Sequence, residues 1–578
     1  MSQQLKEWLQ GARKRYLEAK NLIDNESLKD PPNEPYKSKY KGKEIIERLL
    51  DEIKEFESNT ENDPSKKNWI SLLKSLLFYE VGSVGADTSE LNSAEIHLEK
   101  SLEILNNEFT DDLSVILFNI VALNQLGYIW CGRGDFEKAC QLLTNSESLY
   151  HKWNKTDESL VTLDFLDAFM VDPLHDERLE KSNAIKNLEK AHTLTLYLLA
   201  QSYERCGESA KSAVYCHATL KRQYHGIENK QQIYDVIDWA LNAATLSQYF
   251  AIKGDFNAAR HHIACAKKVL ATYKGKEEER LNKSTADLNR IFVKYSLLLL
   301  ECSYEASKRE QQLPAPDDTF RPYLLNEPEV KKIESQIRTY PILTFDVARQ
   351  VFKSAVKHLE QAKIYYNLNE HASDYVECVK DDSKLFQNLT LYETDYDRQC
   401  KMHKRRIDML ENVLKEMNPE YFLVEVREIL FELGEIYSQN AEIKTRLLEK
   451  KSDIEALKST KKINTLIAKA IDYFSKFIRT FHDKKTNSIP NKLSDEFVRP
   501  VLLGYFSLGR LHSKIIASDP HDQLKNWSEC EANYNKVLDY LKVNPQQKLL
   551  FSEEVPLIEE MLKMIPEKKK IILSSVLY

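Results

Sequence analysis

The stretch that most limits how this chain can fold is residues 241–270, LNAATLSQYFAIKGDFNAARHHIACAKKVL. It reads as two antiparallel helices joined by a tight turn. Leu246, Ser247 and Phe250 fall on one stripe of the first helix at i, i+1 and i+4. Gly254 stands where a helix ends in a left-handed residue, and Asp255 and Phe256 complete the turn. Ala259, Ile263 and Ala266 then recur at i, i+4 and i+7 on the second helix. The small side chain of Ala259 lets the two helices approach closely. This order of marks is the tetratricopeptide layout, whose period is about 34 residues.

The same marks return twice upstream. In residues 120–150 they are Leu126, Gly127 and Trp130, then Gly134 and Phe136 at the turn, then Ala139, Leu143 and Ser146. In residues 194–223 they are Leu199, Ala200 and Tyr203, then Gly207, then Ser212, Cys216 and Thr219. The aligned small positions 139, 212 and 259 lie 73 and 47 residues apart, so insertions separate the repeats. Residues 69–80 and 91–106 form a further pair, preceded by amphipathic helices at 3–23 and around 45–53. Loops are expected at 154–190, rich in acidic residues, and at 272–288, with an apolar helix over 289–307. In the second half Ala355, Leu359 and Ala362 resemble a second helix of a pair, and 384–416 reads as one long helix. Leu433, Gly434 and Tyr437 pair with Ala470, Phe474 and Phe477, and Leu508, Gly509 and His512 begin a last pair. Five prolines between 314 and 341 mark a linker at 311–343, with a helix inside it at 330–340. The predicted fold is all-α: a tetratricopeptide-like, right-handed α-solenoid of stacked helix pairs in two halves, 1–310 and 344–578.

Composition agrees. Only 14 glycines among 578 residues argue against a β-rich or glycine-loop enzyme fold. A globular chain of this length would hold about three or four domains. A solenoid evades that count, because each repeat needs only its neighbours. The net charge of −7 disfavours non-specific nucleic-acid binding and suits a partner with a basic face. The nine cysteines are scattered without a C-x-x-C pair, the pattern of reduced thiols in a cytosolic protein. No signal peptide opens the sequence, and no run reaches the ~18 apolar residues of a membrane span. No membrane insertion is therefore expected.

Catalytic motifs are absent: there is no P-loop, G-x-S-x-G or H-E-x-x-H. Gly132, Arg133 and Gly134 belong to a repeat turn. His261, His262 and Cys265 include an i, i+4 spacing but lack the further ligands of a tetrahedral zinc site, so no metal and no cofactor is expected. The basic run Lys401, His403, Lys404, Arg405 and Arg406 keeps helical periodicity with its flanks and reads as a solvated helix face. The informative surface is the inner face of the first helix of each pair. With the Leu–small marks as register, that face carries Asn124 and Tyr128, then Tyr197, Gln201 and Glu204, then Thr245 and Gln248. The set is polar and aromatic and lacks the Lys/Arg cluster that would hold a C-terminal carboxylate. It suits a helix or folded domain rather than a chaperone tail, although a co-chaperone or other adaptor scaffold remains the rival reading.

Six segments also resemble the kinesin-binding (KIF-binding) proteins: EPYKSKY at 34–40, YCHATLKRQ at 215–223, WALNAATLSQYF at 239–250, CKMHKRRIDML at 400–410, NPEYFLV at 418–424 and RPVLLGYFSLGRLHSKIIASDP at 499–520. They keep the same order and cover both halves. The resemblance implies a non-enzymatic, monomeric protein of the cytoplasm and cytoskeleton. It implies that a concave groove grips the motor domain of a subset of kinesins and blocks microtubule binding, regulating microtubule-based transport and neuronal organisation. Family contact positions carry over to Gln201, Gln223 and Thr245. Where the family has two adjacent tyrosines, this chain has Tyr197 and Leu198.

Overall fold

The computed structural model describes residues 3–57, 64–155, 162–170, 181–228, 234–309, 324–448, 453–483 and 488–576. Among them every regular element is a helix. The chain divides into two compact units, Met1–Leu246 with Asp317–Asn326 and Ser247–Pro316 with Glu327–Tyr578.

The first unit runs through α1 (Gln3–Asp24), α2 (Lys37–Glu57), α3 (Pro64–Asp87), α4 (Leu91–Glu108), α5 (Ile116–Arg133), α6 (Phe136–Asn154), α7 (Lys181–Arg205), α8 (Ser209–Glu228) and into α9 (Val236–Ile252). From α1 to α8 each helix packs on its sequence neighbours, and α5 also packs on α3 and α7. This alternation is what stacked helix pairs produce. At Gly127 of α5 a Cβ would come within 2.7 Å of Leu143 on α6, so only glycine allows this approach. The three turn glycines all take the left-handed conformation, with φ of 82° at Gly134, 77° at Gly207 and 82° at Gly254. Each stop is built alike. The amide after the glycine returns to the carbonyl five residues back: Asp135 to Trp130 at 3.1 Å, Glu208 to Tyr203 and Asp255 to Phe250 at 2.9 Å. Asp135 and Asp255 then cap the next helix, accepting from the amides of Lys138 and Ala258.

Two expectations are corrected here. The insertion at 154–190 is not a loop throughout, although 156–161 and 171–180 lie outside the described residues. Residues 162–170 are wedged into the core, with Leu163, Ala168 and Phe169 buried. Trp69 Nε1 donates to Ala168 O at 2.8 Å, and the Phe169 ring lies 4.9 Å from that of Tyr16. α7 then begins at Lys181. The segment Leu113–Arg133 is, contrary to the sequence reading, long and apolar enough to cross a membrane, but 67% of its apolar window is buried inside the unit. It is hydrophobic all round because α3, α4, α6 and α7 pack on it.

The second unit holds the end of α9, then α10 (Phe256–Leu270), α11 (Glu278–Arg309), α12 (Pro328–Ser335), α13 (Phe345–Tyr365), α14 (Ala372–Tyr392), α15 (Tyr396–Glu416), α16 (Leu423–Leu448), α17 (Asp453–Arg479), α18 (Asp495–Ser513), α19 (Pro520–Val543) and α20 (Glu554–Val576). α11 starts inside the charged stretch read as a loop. Arg280 pairs at the solvent side with Glu277, just before the helix, while Ser284, Ala286 and Leu288 are buried. The long helix expected at 384–416 is two helices. α14 ends at Tyr392, and Asp395 caps α15 by accepting from the amides of Asp397 and Arg398. The helix expected within the proline-dotted stretch is α12, but it is no free linker. Val330 is fully buried, Glu334 meets His261 at 2.5 Å and Glu327 meets Lys268 at 2.6 Å. The two units divide between Leu246 and Ser247, within α9, and residues 310–323, which include the first part of the stretch read as a linker, lie outside the described residues.

Candidate protein-binding interface

The open strip of α7 is the clearest surface in the first unit. Tyr197 and Gln201 are exposed one turn apart, and Gln201 Nε2 donates to Tyr197 OH at 2.6 Å. Glu204 is exposed a turn further on. α5 lies alongside α7, tied by Asn124 Nδ2 donating to Ala191 O at 2.8 Å and by Cys131 Sγ, 3.1 Å from Ser202 Oγ. Tyr128 stands between these two ties and is 51% exposed. On the next helices, Trp239 Nε1 donates to Leu220 O at 2.8 Å and fixes α9 to α8. Thr245 on α9 is exposed, and Gln223 on α8 is half-buried. Gln248 is half-buried and belongs to the second unit.

Asn124 must be removed from the candidate surface. It is 2% exposed and fully bonded inside the fold. Beyond its bond to Ala191 O, its Oδ1 accepts from Thr195 Oγ1 at 2.9 Å and Ser146 Oγ at 3.2 Å. Periodicity gives the direction of a side chain from its own helix but not what lies there. Here α6 and α7 both converge on it. Leu198 is also interior, packed with Leu143 and Leu199. The departure from the double-tyrosine pattern therefore alters packing and not the open strip.

The structure adds a residue that periodicity passed over. Leu194 is 44% exposed on α7, one turn before Tyr197. Its only sequence signal is an apolar residue on an otherwise polar stripe. Behind the strip, Arg222 pairs with Glu189, and Tyr150 OH donates to Glu189 Oε1 at 2.7 Å. His192 stacks on Tyr150 with ring centroids 3.5 Å apart, and burial, with Arg222 and His151 nearby, pushes its imidazole down to about 3. These groups brace α7 rather than face a partner. The strip residues Tyr128, Tyr197, Gln201, Glu204 and Thr245 include no cation.

The other candidate chemistry resolves into packing. His261 bonds Glu334, lies 3.4 Å from Cys265 Sγ through Nε2, and His262 Nδ1 meets Ala258 O at 2.8 Å. The basic run of α15 is only partly a solvated face. Lys401, Lys404 and Arg405 are exposed, whereas His403 and Arg406 are buried, with Arg406 Nε donating to Ser383 Oγ at 3.0 Å.

Stacked helix pairs carrying a polar and aromatic strip on one helix define an all-α helical-repeat protein. Sequence comparison narrows the class. A family model described as "KIF-1 binding protein C terminal" matches residues 237–571. The KIF-binding protein of Danio rerio is 32% identical over 95% of this chain and 95% of its own length. That of Gallus gallus is 31% identical over 96% of each. The chain belongs to the KIF-binding protein family. Among solved structures, the human IFIT1 dimer with m7Gppp-AAAA covers 87% of this chain and 94% of that one at 13% identity, with a TM-score of 0.24, too loose a superposition to bear on the fold.

Proposed function

We propose that this chain is a non-enzymatic protein that grips the motor domain of a subset of kinesins and keeps it off its microtubule. The observation that carries the reading is the Tyr197–Gln201 pair. It is solvent-exposed, joined by its own hydrogen bond, and includes Gln201, one of the positions onto which the family resemblance carries a contact. Tyr128, Glu204, Gln223 and Thr245 extend the same surface in the first unit, and Gln248 is the candidate from the second.

The physics of such an inhibitor is simple. A motor's track-binding face is basic because tubulin is acidic. A receptor of net charge −7 competes for that face by complementary charge, which chiefly speeds encounter. Aromatic and amide side chains such as Tyr197 and Gln201 then slow release through buried contact. The reading places the protein with the cytoskeleton in the cytoplasm, as a monomer whose effect is on microtubule-based transport and, through it, on neuronal organisation.

The test replaces Gln201 and Thr245 together with arginine. Placing unpaired charge in a closed interface weakens binding by roughly 2 kcal/mol or more at a hot spot. Wild-type protein is expected to lower the fraction of kinesin motor domain that co-sediments with microtubules, and the double variant is not. A double variant that inhibits as well as wild type, with unchanged helicity, removes the motor from this face.

A further inference from the structure

Three cysteines of the first unit gather where α5, α6 and the end of α7 meet. Cys140 lies on the second turn of α6 and is buried. Cys206 is the first residue past α7, in the turn that closes on Gly207, and is exposed. Its amide still returns to Ser202 O at 3.0 Å, so the helix end fixes its place. The thiols of Cys140 and Cys206 lie within hydrogen-bonding reach of each other. Cys131 on α5 stands near both, but its Sγ is taken up by Ser202 Oγ at 3.1 Å. Burial, with Cys206 and Cys131 beside it, pushes the Cys140 thiol up to about 12. Cys216, Cys302 and Cys530 have no such thiol neighbour.

An exposed thiol against a buried one divides the two steps of a thiol–disulfide exchange. The attacking species is a thiolate, and it has to reach the oxidant. Cys206 sees solvent and does; Cys140 is shielded and holds its proton. The Cys206 thiolate attacks one sulfur of a small disulfide such as oxidised glutathione. A Cys206–glutathione bond forms, and the first glutathione leaves as a thiolate that takes up the proton Cys206 lost. Capping Cys206 removes the neighbouring negative charge that helps hold the Cys140 proton. Cys140 then gives its sulfur electron pair to the Cys206 sulfur. The bond to glutathione breaks, and the Cys140 proton leaves with the second glutathione. Two protein thiols are oxidised, and one disulfide is reduced to two thiols. Glu208 and Lys211, which both act on Cys140, pair with each other at 2.6 Å, so a neutral bridge strands neither charge.

We propose that Cys206 and Cys140 are a redox modification site, oxidised by a low-molecular-weight disulfide to a bridge that ties the end of α7 to α6. The site stands independently of the motor reading of the α7 strip. The full chain is incubated with oxidised glutathione, quenched in acid, alkylated and digested for mass spectrometry. Wild-type protein is expected to lose two of its nine free thiols, to retain no glutathione, and to give a peptide pair joined at Cys140 and Cys206 that dithiothreitol reopens. Cys140→Ser is expected to stop halfway, with one glutathione left on Cys206. Cys206→Ser is expected to form no bridge at all, and Cys302→Ser to form it as wild type does. Cys140→Ala carries the same test if a serine hydroxyl disturbs the buried position. A wild-type chain that keeps all its thiols, or that keeps glutathione on Cys206, overturns the proposal. So does a peptide pair joining Cys206 to Cys131, which would pass the second step to α5.

Discussion

Asn124 stands three residues before Gly127 in the first unit, and Phe431 stands three residues before Gly434 in the second. Both glycines let a large side chain of the next helix come close: a Cβ on Gly127 would meet Leu143 at 2.7 Å, and one on Gly434 would meet Phe474 at 2.9 Å. One turn beyond those partners come Ser146 and Phe477. Asn124 is locked to Ser146 by a hydrogen bond, with Thr195 and Ala191 completing its set. Phe431 meets Phe474 and Phe477 edge-on at 5.4 and 5.2 Å. One repeat design therefore accepts two fillings. A satisfied polar network spends every lone pair inside the fold and leaves nothing to show a partner. An aromatic ladder packs by its edges and leaves faces that wall a cavity.

The sharpest way to break this comparison is a near-isosteric apolar swap at each position. Asn124→Leu keeps the volume but removes three buried hydrogen bonds, leaving Thr195 Oγ1 with Ala191 O and Ser146 Oγ as its partners. It is expected to cost about 2 kcal/mol, because each buried hydrogen bond contributes about 1 kcal/mol and part of the network survives. Phe431→Leu strands nothing and is expected to cost about 1 kcal/mol. Thermal melts of the two single variants decide it. Equal losses would mean that the network in the first unit is incidental to its stability.

How far the sequence could be read follows the same line. The turn glycines were legible because left-handed φ is a local demand, met at Gly134, Gly207 and Gly254. The small–large contacts were legible because a three- or four-residue spacing fixes a helix face. What escaped depends on distant partners. The wedge at 162–170 is held by Trp69, 99 residues from its acceptor at Ala168, and its own composition carries no periodicity. Asn124 was placed on an open face because its acceptor and donors lie 67, 71 and 22 residues away. The start of α11 was hidden by charges on its solvent side, and the break before α15 by a single capping aspartate, Asp395. For the candidate surface, Tyr128, Tyr197, Gln201, Glu204 and Thr245 are exposed as their register required, while Leu194 was lost to the assumption that leucine is core.

Acid sharpens the comparison by titrating each unit's interior. His192 is 3% exposed, and its imidazole is pushed from 6.5 down to about 3. Between those values the unfolded chain takes up a proton that the folded first unit refuses. Stability therefore falls as pH falls, by up to about 1.4 kcal/mol per pH unit for this one group. His192→Phe keeps the stack on Tyr150 without the titration and is expected to flatten the slope in urea midpoints measured between pH 7 and pH 4.5. In the second unit His403, pushed down to about 4 by burial and Arg406, has the same sign. Asp381 opposes it, since a carboxyl held above its ordinary 3.8 binds its proton more readily folded than unfolded. His358, also pushed down to about 4, and His261 and His512, both pushed down by burial, add to His403 and outnumber the raised carboxyls Asp381 and Glu435, so the second unit should lose more on acidification. A His192→Phe variant with the wild-type slope would place the acid sensitivity elsewhere.

The smallest expected effect separates surface from core on the repeat that first revealed the fold. Thr245 is exposed on α9, whereas Ala259 of α10 is fully buried at the point where a small residue is required. Thr245→Ala removes a methyl and a hydroxyl that already see water, so its cost should stay within about 0.5 kcal/mol. Ala259→Leu forces extra methylenes into a filled contact and should cost roughly 1–3 kcal/mol. Melting of the two variants tests the register directly. If Thr245→Ala proved the more damaging, α9 would be rotated from the orientation described. Thr245 would then join Asn124 as a residue whose polarity misled the reading, and the interface would have to be sought on Tyr197 and Gln201 alone.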